Sequence, residues 1–354
     1  MYCMRDVVAI RANGSREIGS GHIRRTSLLA EEIGRQGAVP ILLCNPQAVE
    51  VFAPLLGAFA HVHHVENEQK AADLLAQTYN DRILAILFDS YDLSAPQHKL
   101  YRACVPYLAA LDDIAARAMD VDLLVDVNLG RIAEDYAGLV PATTEVHVGI
   151  DYQILRPDFT RLRASSLARR EARPAIQRLF ISMGGTDPLQ MTQSALHTAL
   201  SVAPHLDVDV VIGSASPGVG ALRTYAQQVG TQVQLHVDAT NVAQIMAGAD
   251  LAIGAGGTMT WERNALGLPT LIMTIADNQM EISHHMEMAG AAVVIDARTG
   301  YPEEEVARHL ATLIADPEKC RSLSKNAANL SGDHGAELII ETLLKRANFK
   351  TARN

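Results

Sequence analysis

Short runs of β-branched and aliphatic residues recur along this chain, separated by longer stretches with helical spacing, and that alternation limits the fold more than any other feature. In the first half the runs are Val7 to Ala12, Pro40 to Leu43, Ile83 to Asp89, Tyr107 to Leu111 and Leu123 to Val125. In the second they are Arg178 to Ser182, Val208 to Ile212, Val233 to Val237, Leu251 to Ile253, Thr270 to Thr274 and Ala292 to Asp296. Most are apolar almost throughout, which predicts strands buried on both faces of a parallel sheet wrapped by helices. A length of 354 residues exceeds what one core usually serves, so an α/β class with two domains is expected. The polar stretch Arg156 to Pro174, with six arginines and two prolines, reads as the connection. The expected division is therefore a first domain at 1–160, a linker at 161–175, a second domain at 176–330 and a closing helical segment at 331–354.

Composition narrows the function classes. A formal net charge of −10 argues against a broad nucleic-acid or anionic-membrane surface, which needs clustered Lys and Arg, so any phosphate must be bound locally. Cys3, Cys44, Cys104 and Cys320 show no CxxC spacing, which fits reduced thiols better than a zinc knuckle or a disulfide framework. Arg5 and Asp6 interrupt the amino terminus, and no run approaches the roughly 20 apolar residues of a membrane span. A cytoplasmic protein without stable membrane association is expected, and nothing in the sequence fixes its oligomeric state.

Glycine-bearing loops follow several of the strands. Ile18-Gly19-Ser20-Gly21-His22-Ile23-Arg24 precedes a helical pattern in which Leu29 and Ile33 stand four apart. Free backbone N–H groups and the helix dipole at such a start favour an anion. The dinucleotide fingerprint would need glycine in place of Arg24, and no Gly-Lys-Ser/Thr is present, so neither NAD nor ATP is indicated and no cofactor is expected. His22 reads either as an exposed first-turn histidine or as an acid–base group at a loop mouth. Ile181 to Pro188 runs a strand into Gly184-Gly185-Thr186, a second device of the same kind. Ala249 to Arg263 runs a strand into Gly256-Gly257-Thr258, with Thr258 as the expected N-cap and Glu262 one turn in. Glu262 reads either as an offset to the helix dipole or as an acid that holds a ribose diol. Ala276-Asp277-Asn278-Gln279 adds side-chain amides after a further strand.

These loops resemble those of the UDP-2,4-diacetamido-2,4,6-trideoxy-β-L-altropyranose hydrolases of pseudaminic acid biosynthesis. The resemblance covers nearly the whole chain and includes Asp89-Ser90-Tyr91-Asp92-Leu93, Leu111-Asp112-Asp113, Asp126-Val127-Asn128-Leu129-Gly130, Leu155-Arg156-Pro157 and Trp261-Glu262-Arg263. It implies a glycosyltransferase B-type architecture, two Rossmann-like domains facing each other across a cleft, with the last helix folded back on the first. It also implies a metal-independent hydrolysis in which water attacks the anomeric carbon, inverts it and releases UDP. His22 matches the active-site histidine. Gly21, Gly185, Thr186, Gly256, Gly257 and Thr258 would hold the diphosphate, and Glu262 the ribose. Tyr91, Asn278 and Gln279 would place the sugar. Asn13, expected among the substrate-binding residues with Gly21, stands where the family usually has aspartate.

Other patterns carry less. Asp120-Val121-Asp122 spells the Asp-x-Asp of metal-dependent glycosyltransferases but reads as a solvated strand start. His61, His63, His64, His284 and His285 lack tetrahedral ligand spacing, so no metal is expected. Asp112-Asp113 reads as a carboxylate pair or as a strand end that caps a helix. Two rivals to a hydrolase are a glycosyltransferase of the same architecture, which would need an acceptor, and a nucleotide-sugar sensor without turnover.

Overall fold

The computed structural model describes residues 6–15, 21–172, 175–332 and 334–352. Seven strands come first: β1 Val7–Ala12, β2 Val39–Cys44, β3 His61–His64, β4 Ile83–Asp89, β5 Tyr107–Asp112, β6 Leu123–Asp126 and β7 Glu145–Val148. Six follow: β8 Arg178–Ser182, β9 Asp207–Ile212, β10 Val233–Val237, β11 Leu251–Ala255, β12 Thr270–Thr274 and β13 Val293–Asp296. The helices of the first half are α1 Gly21–Arg35, α2 Pro46–Phe52, α3 Glu68–Tyr79 and α4 Ala95–Arg102. Then come α5 Pro157–Ala172, α6 Met191–Val202, α7 Val219–Val229, α8 Val242–Gly248, α9 Met259–Ala265 and α10 Met280–Met288. The last three are α11 Glu303–Ala315, α12 Pro317–Asn329 and α13 Gly335–Thr351. No helix among the described residues is long and apolar enough to cross a membrane.

The chain divides into two compact units, the first Met1–Leu155 with Gly332–Asn354, the second Arg156–Ser331. In the first, the strand order is β3-β2-β1-β4-β5-β6-β7, all parallel. In the second it is β10-β9-β8-β11-β12-β13, again all parallel. Both are doubly wound. In such sheets the loops at the carboxyl ends part where the winding reverses, between β1 and β4 and between β8 and β11, and ligands bind there. Every residue of β1 and β4 is buried, as continuous apolar runs require.

Helix α13 belongs to the first unit and buries Ile339, Ile340, Leu343 and Ala347 in its core. Three features differ from the sequence reading. Residues 161–172, expected as linker, lie in α5, inside the second unit. That helix docks through arginines rather than an apolar stripe: Arg170 donates to the carbonyls of Gly267, Ala249 and Met246, and Arg163 to those of Ala265 and Ala328. These carbonyls lie at or just beyond the ends of α8, α9 and α12, where cations are favoured. The other two are the unexpected strands β3 and β7, which form the edges of the first sheet and are only partly buried. His61, His63 and His64 are β3 residues, whereas His284 and His285 sit in α10.

Candidate active site

In the first unit the winding reverses between two strands that end side by side, with Ala12 of β1 paired to Asp89 of β4. His22 is the second residue of α1, and Arg25 follows it one turn later on the same face. Residues 16–20 lie outside the described part of the chain, so Ile18, Gly19 and Ser20 of the glycine-rich loop are not described, while Gly21 opens α1. His22 is buried rather than exposed, at 7% of its free surface.

His22 Nδ1 lies 2.6 Å from Asp89 Oδ1. Arg25 binds the same carboxylate with both Nε, at 2.6 Å from Oδ2, and Nη2. Its Nη1 reaches Asp113 Oδ2 at 3.0 Å, and the Tyr91 hydroxyl donates to that oxygen at 3.0 Å. Burial by itself pushes the Asp89 carboxyl up, but Arg25 and then His22 outweigh it and hold the group at about 2. Asp89 is therefore ionised and only accepts hydrogen bonds, so the nitrogen facing it carries the imidazole proton. Arg25 Nη2, 3.2 Å from that nitrogen, then makes a charge contact and not a second hydrogen bond. In the neutral imidazole the lone pair is then on Nε2. Tyr91 packs edge-on against the imidazole, with ring centroids 4.7 Å apart, and keeps half its surface exposed.

The next two strands repeat the arrangement. Asp112 ends β5 and pairs with Arg117 at 2.6 Å, and Asp126 ends β6 and pairs with Arg131 at 2.8 Å. The hydroxyl of Tyr136 bridges both carboxylates, at 2.9 and 2.8 Å. Asp112 accepts from the Ala115 amide in a turn and caps no helix, contrary to one reading of Asp112-Asp113. Asp120 and Asp122 share Arg102, so each carboxylate of the Asp-x-Asp has a fixed cation beside it. Asn13 spends its side-chain oxygen on Arg11 Nη1, at 2.6 Å, and on the Asn45 amide, at 3.0 Å. Arg11 in turn pairs with Glu68.

The second unit places the other expected residues in the loops after β8, β11 and β12. Gly184 adopts φ +93°, and Gly185 and Thr186 are exposed beyond it. The amides that open α6 are not free for an external anion, because the Asp187 carboxylate accepts from Met191 and Thr192 at 3.0 Å each. Thr258 precedes α9 but its side chain caps nothing, and its backbone is already helical, which corrects the expected N-cap. The two glycines before it differ in kind. A Cβ on Gly256 would meet Ser283 Oγ at 2.7 Å, whereas one on Gly257 or on Gly185 would meet nothing within 4 Å. Gly256 is a packing residue, and its N–H is shared between Met273 O and Gln279 Oε1. Gln279 Oε1 also accepts from Ile275, so this side chain braces the loop, while Asn278 beside it is exposed. Glu262 forms an ion pair with Arg156 at 3.0 Å.

Sequence reasoning picked out His22, Tyr91 and Glu262 but not the partners that orient them. Asp89, Arg25, Asp113 and Arg156 all stand within or beside quoted motifs. A histidine and an arginine three apart at a helix start, opposite a strand ending in aspartate, was the available signal.

No family model matches this chain. The spore coat polysaccharide biosynthesis protein SpsG of Bacillus subtilis is 25% identical over 339 residues, 93% of this chain and 95% of that protein. The UDP-2,4-diacetamido-2,4,6-trideoxy-beta-L-altropyranose hydrolase of Campylobacter jejuni is 26% identical over 241 residues, 68% of this chain and 81% of the hydrolase. Among solved structures, MurG of Acinetobacter baumannii superposes with a TM-score of 0.68 at 14% identity, covering 96% of this chain and 99% of MurG. The fold is of the glycosyltransferase B type, built from two Rossmann-like domains.

Proposed function

We propose that this chain is an enzyme acting on a nucleotide sugar, and specifically that it hydrolyses UDP-2,4-diacetamido-2,4,6-trideoxy-β-L-altropyranose to UDP and the free sugar. The observation that carries the chemistry is the 2.6 Å contact between His22 Nδ1 and the ionised Asp89. It fixes the tautomer in which Nε2 is a general base, the arrangement that an aspartate imposes on histidine in hydrolases of unrelated fold. Water gives its proton to Nε2 as its oxygen bonds to the anomeric carbon. The bond from that carbon to the β-phosphate oxygen breaks, its electron pair leaves with UDP, and the anomeric configuration inverts. Tyr91 and Asn278 would place the sugar, and Asp113, which holds both Tyr91 and Arg25, would position them.

The second unit would bind UDP. Gly185, Thr186, Gly257 and Thr258 offer open backbone to the phosphates, and Glu262, held by Arg156, would accept from the ribose hydroxyls. The relative in Campylobacter jejuni supports the substrate by its name, over two thirds of this chain. The glycosyltransferase B-type fold is equally compatible with a second reading, transfer of the sugar to an acceptor.

Proton NMR of the UDP-sugar with the full chain, EDTA and no acceptor separates the two. The hydrolase releases UDP and free sugar that first appears as the α-anomer. Binding without release of free sugar would exclude the hydrolase and favour the transferase.

A further inference from the structure

Arg263 is fully buried in the second unit, at 1% of its free surface, and its charge is poorly matched. Nη2 donates to two neutral oxygens, Ala255 O at 2.8 Å and Thr260 Oγ1 at 2.9 Å. Nε and Nη1 have no hydrogen-bond partner among the described residues. Burial pulls this guanidinium down to about 10, with Glu262 acting in the opposite sense, so it stays protonated at neutral pH. Arg170 shows what a structural arginine in the same unit looks like: it is also buried, and its three nitrogens donate to three backbone carbonyls. A buried cation with two unsatisfied nitrogens is costly unless something balances it.

Its position says what that something is. A Cβ on Gly254 would stand 2.5 Å from Arg263 Nη1, so the guanidinium lies against the end of β11, directly under the turn that continues through Gly257 and Thr258. A side chain at 254 would force the guanidinium to move. Helix α9 has seven residues and no side-chain cap, so its dipole gives that turn little field of its own. We infer that the buried Arg263 guanidinium supplies the positive field that draws the phosphates of a nucleoside diphosphate to the turn after β11. The inference rests on the reading that the second unit binds UDP and assigns the charge that reading otherwise lacks. Arg263 touches no ligand; it is a positioning residue that acts through the backbone of the turn.

Calorimetric titration of the full chain with UDP and with uridine tests this in the wild type, Arg263→Gln and Arg263→Lys. The glutamine variant should lose tenfold or more in UDP affinity and less than twofold in uridine affinity, and the lysine variant should recover most of the loss. An equal loss for both ligands, or no loss for either, would overturn it. Should Arg263→Gln not fold, nitrogen-15 NMR of the arginine Nε groups decides in the wild-type protein. The resonance missing from Arg263→Lys should shift with UDP and with inorganic pyrophosphate but not with uridine, and indifference to both phosphates would contradict the inference. No UDP binding by the wild type would remove the nucleotide reading and this one together. UDP binding with an unchanged ratio to uridine would remove this one alone.

Discussion

The two units use the same sheet plan for opposite electrostatic ends. At the carboxyl ends of β4 and β5 in the first unit, each carboxylate has a guanidinium beside it: Asp89 and Asp113 share Arg25, and Asp112 has Arg117. At the carboxyl end of β11 in the second unit, a buried cation has no carboxylate bonded to it, and two of its nitrogens have no hydrogen-bond partner among the described residues. The Asp89 carboxylate, itself held by Arg25, fixes the imidazole in one tautomer, which suits proton transfer. On the proposed reading the same topology would serve chemistry in one unit and binding in the other, and the difference would lie in a few side chains at strand ends.

That contrast can be broken from the chemical side first. His22→Asn should lower turnover by roughly 10²- to 10⁴-fold, the usual contribution of a general base, while UDP affinity stays within twofold of the wild type. Steady-state kinetics with calorimetry checks both; near-normal kcat would end the role given to this side chain. Arg25→Met strips the counter-charge from Asp89 and Asp113 together and should cost about 3–5 kcal/mol of stability, read as a lower urea midpoint. A midpoint near that of the wild type would mean that the network is solvated in solution.

A smaller effect comes from pH. Asp89 is held at about 2 in the folded protein, below the roughly 3.9 of an unfolded aspartate. Its contribution is therefore complete above about pH 4 and is lost as pH falls towards 2, an effect of order 2 kcal/mol. Urea midpoints of the wild type and of Asp89→Asn should converge across that window, and a constant gap would contradict the assigned ionisation.

Much of this architecture could be read from the chain. The central strands announced themselves because burial on both faces demands unbroken apolar runs such as Ile83 to Phe88. Edge strands carry no such demand, and β3, with histidine at three of its four positions, was hidden by it. Helix α5 was concealed for the reverse reason, since arginines that bind backbone carbonyls do the packing that leucines usually do. Among the candidate site residues of the two units, His22 and Glu262 stood out by residue type and place. Asp89 and Arg25 did not, because their meaning depends on a contact across 64 residues that parallel pairing of β1 and β4 creates. Arg263 stood within a quoted motif, but its burial was not legible, because the guanidinium packs against Gly254 nine positions earlier and no local pattern marks that contact.

The most direct test is the turnover of Asp89→Asn on the UDP-sugar, with UDP affinity measured on the same preparation. Loss of the fixed tautomer should lower kcat by about 10²-fold or more with UDP affinity unchanged. A kcat near that of the wild type would show that the aspartate does not set the imidazole for catalysis, and the chemistry would have to be sought elsewhere in the first unit.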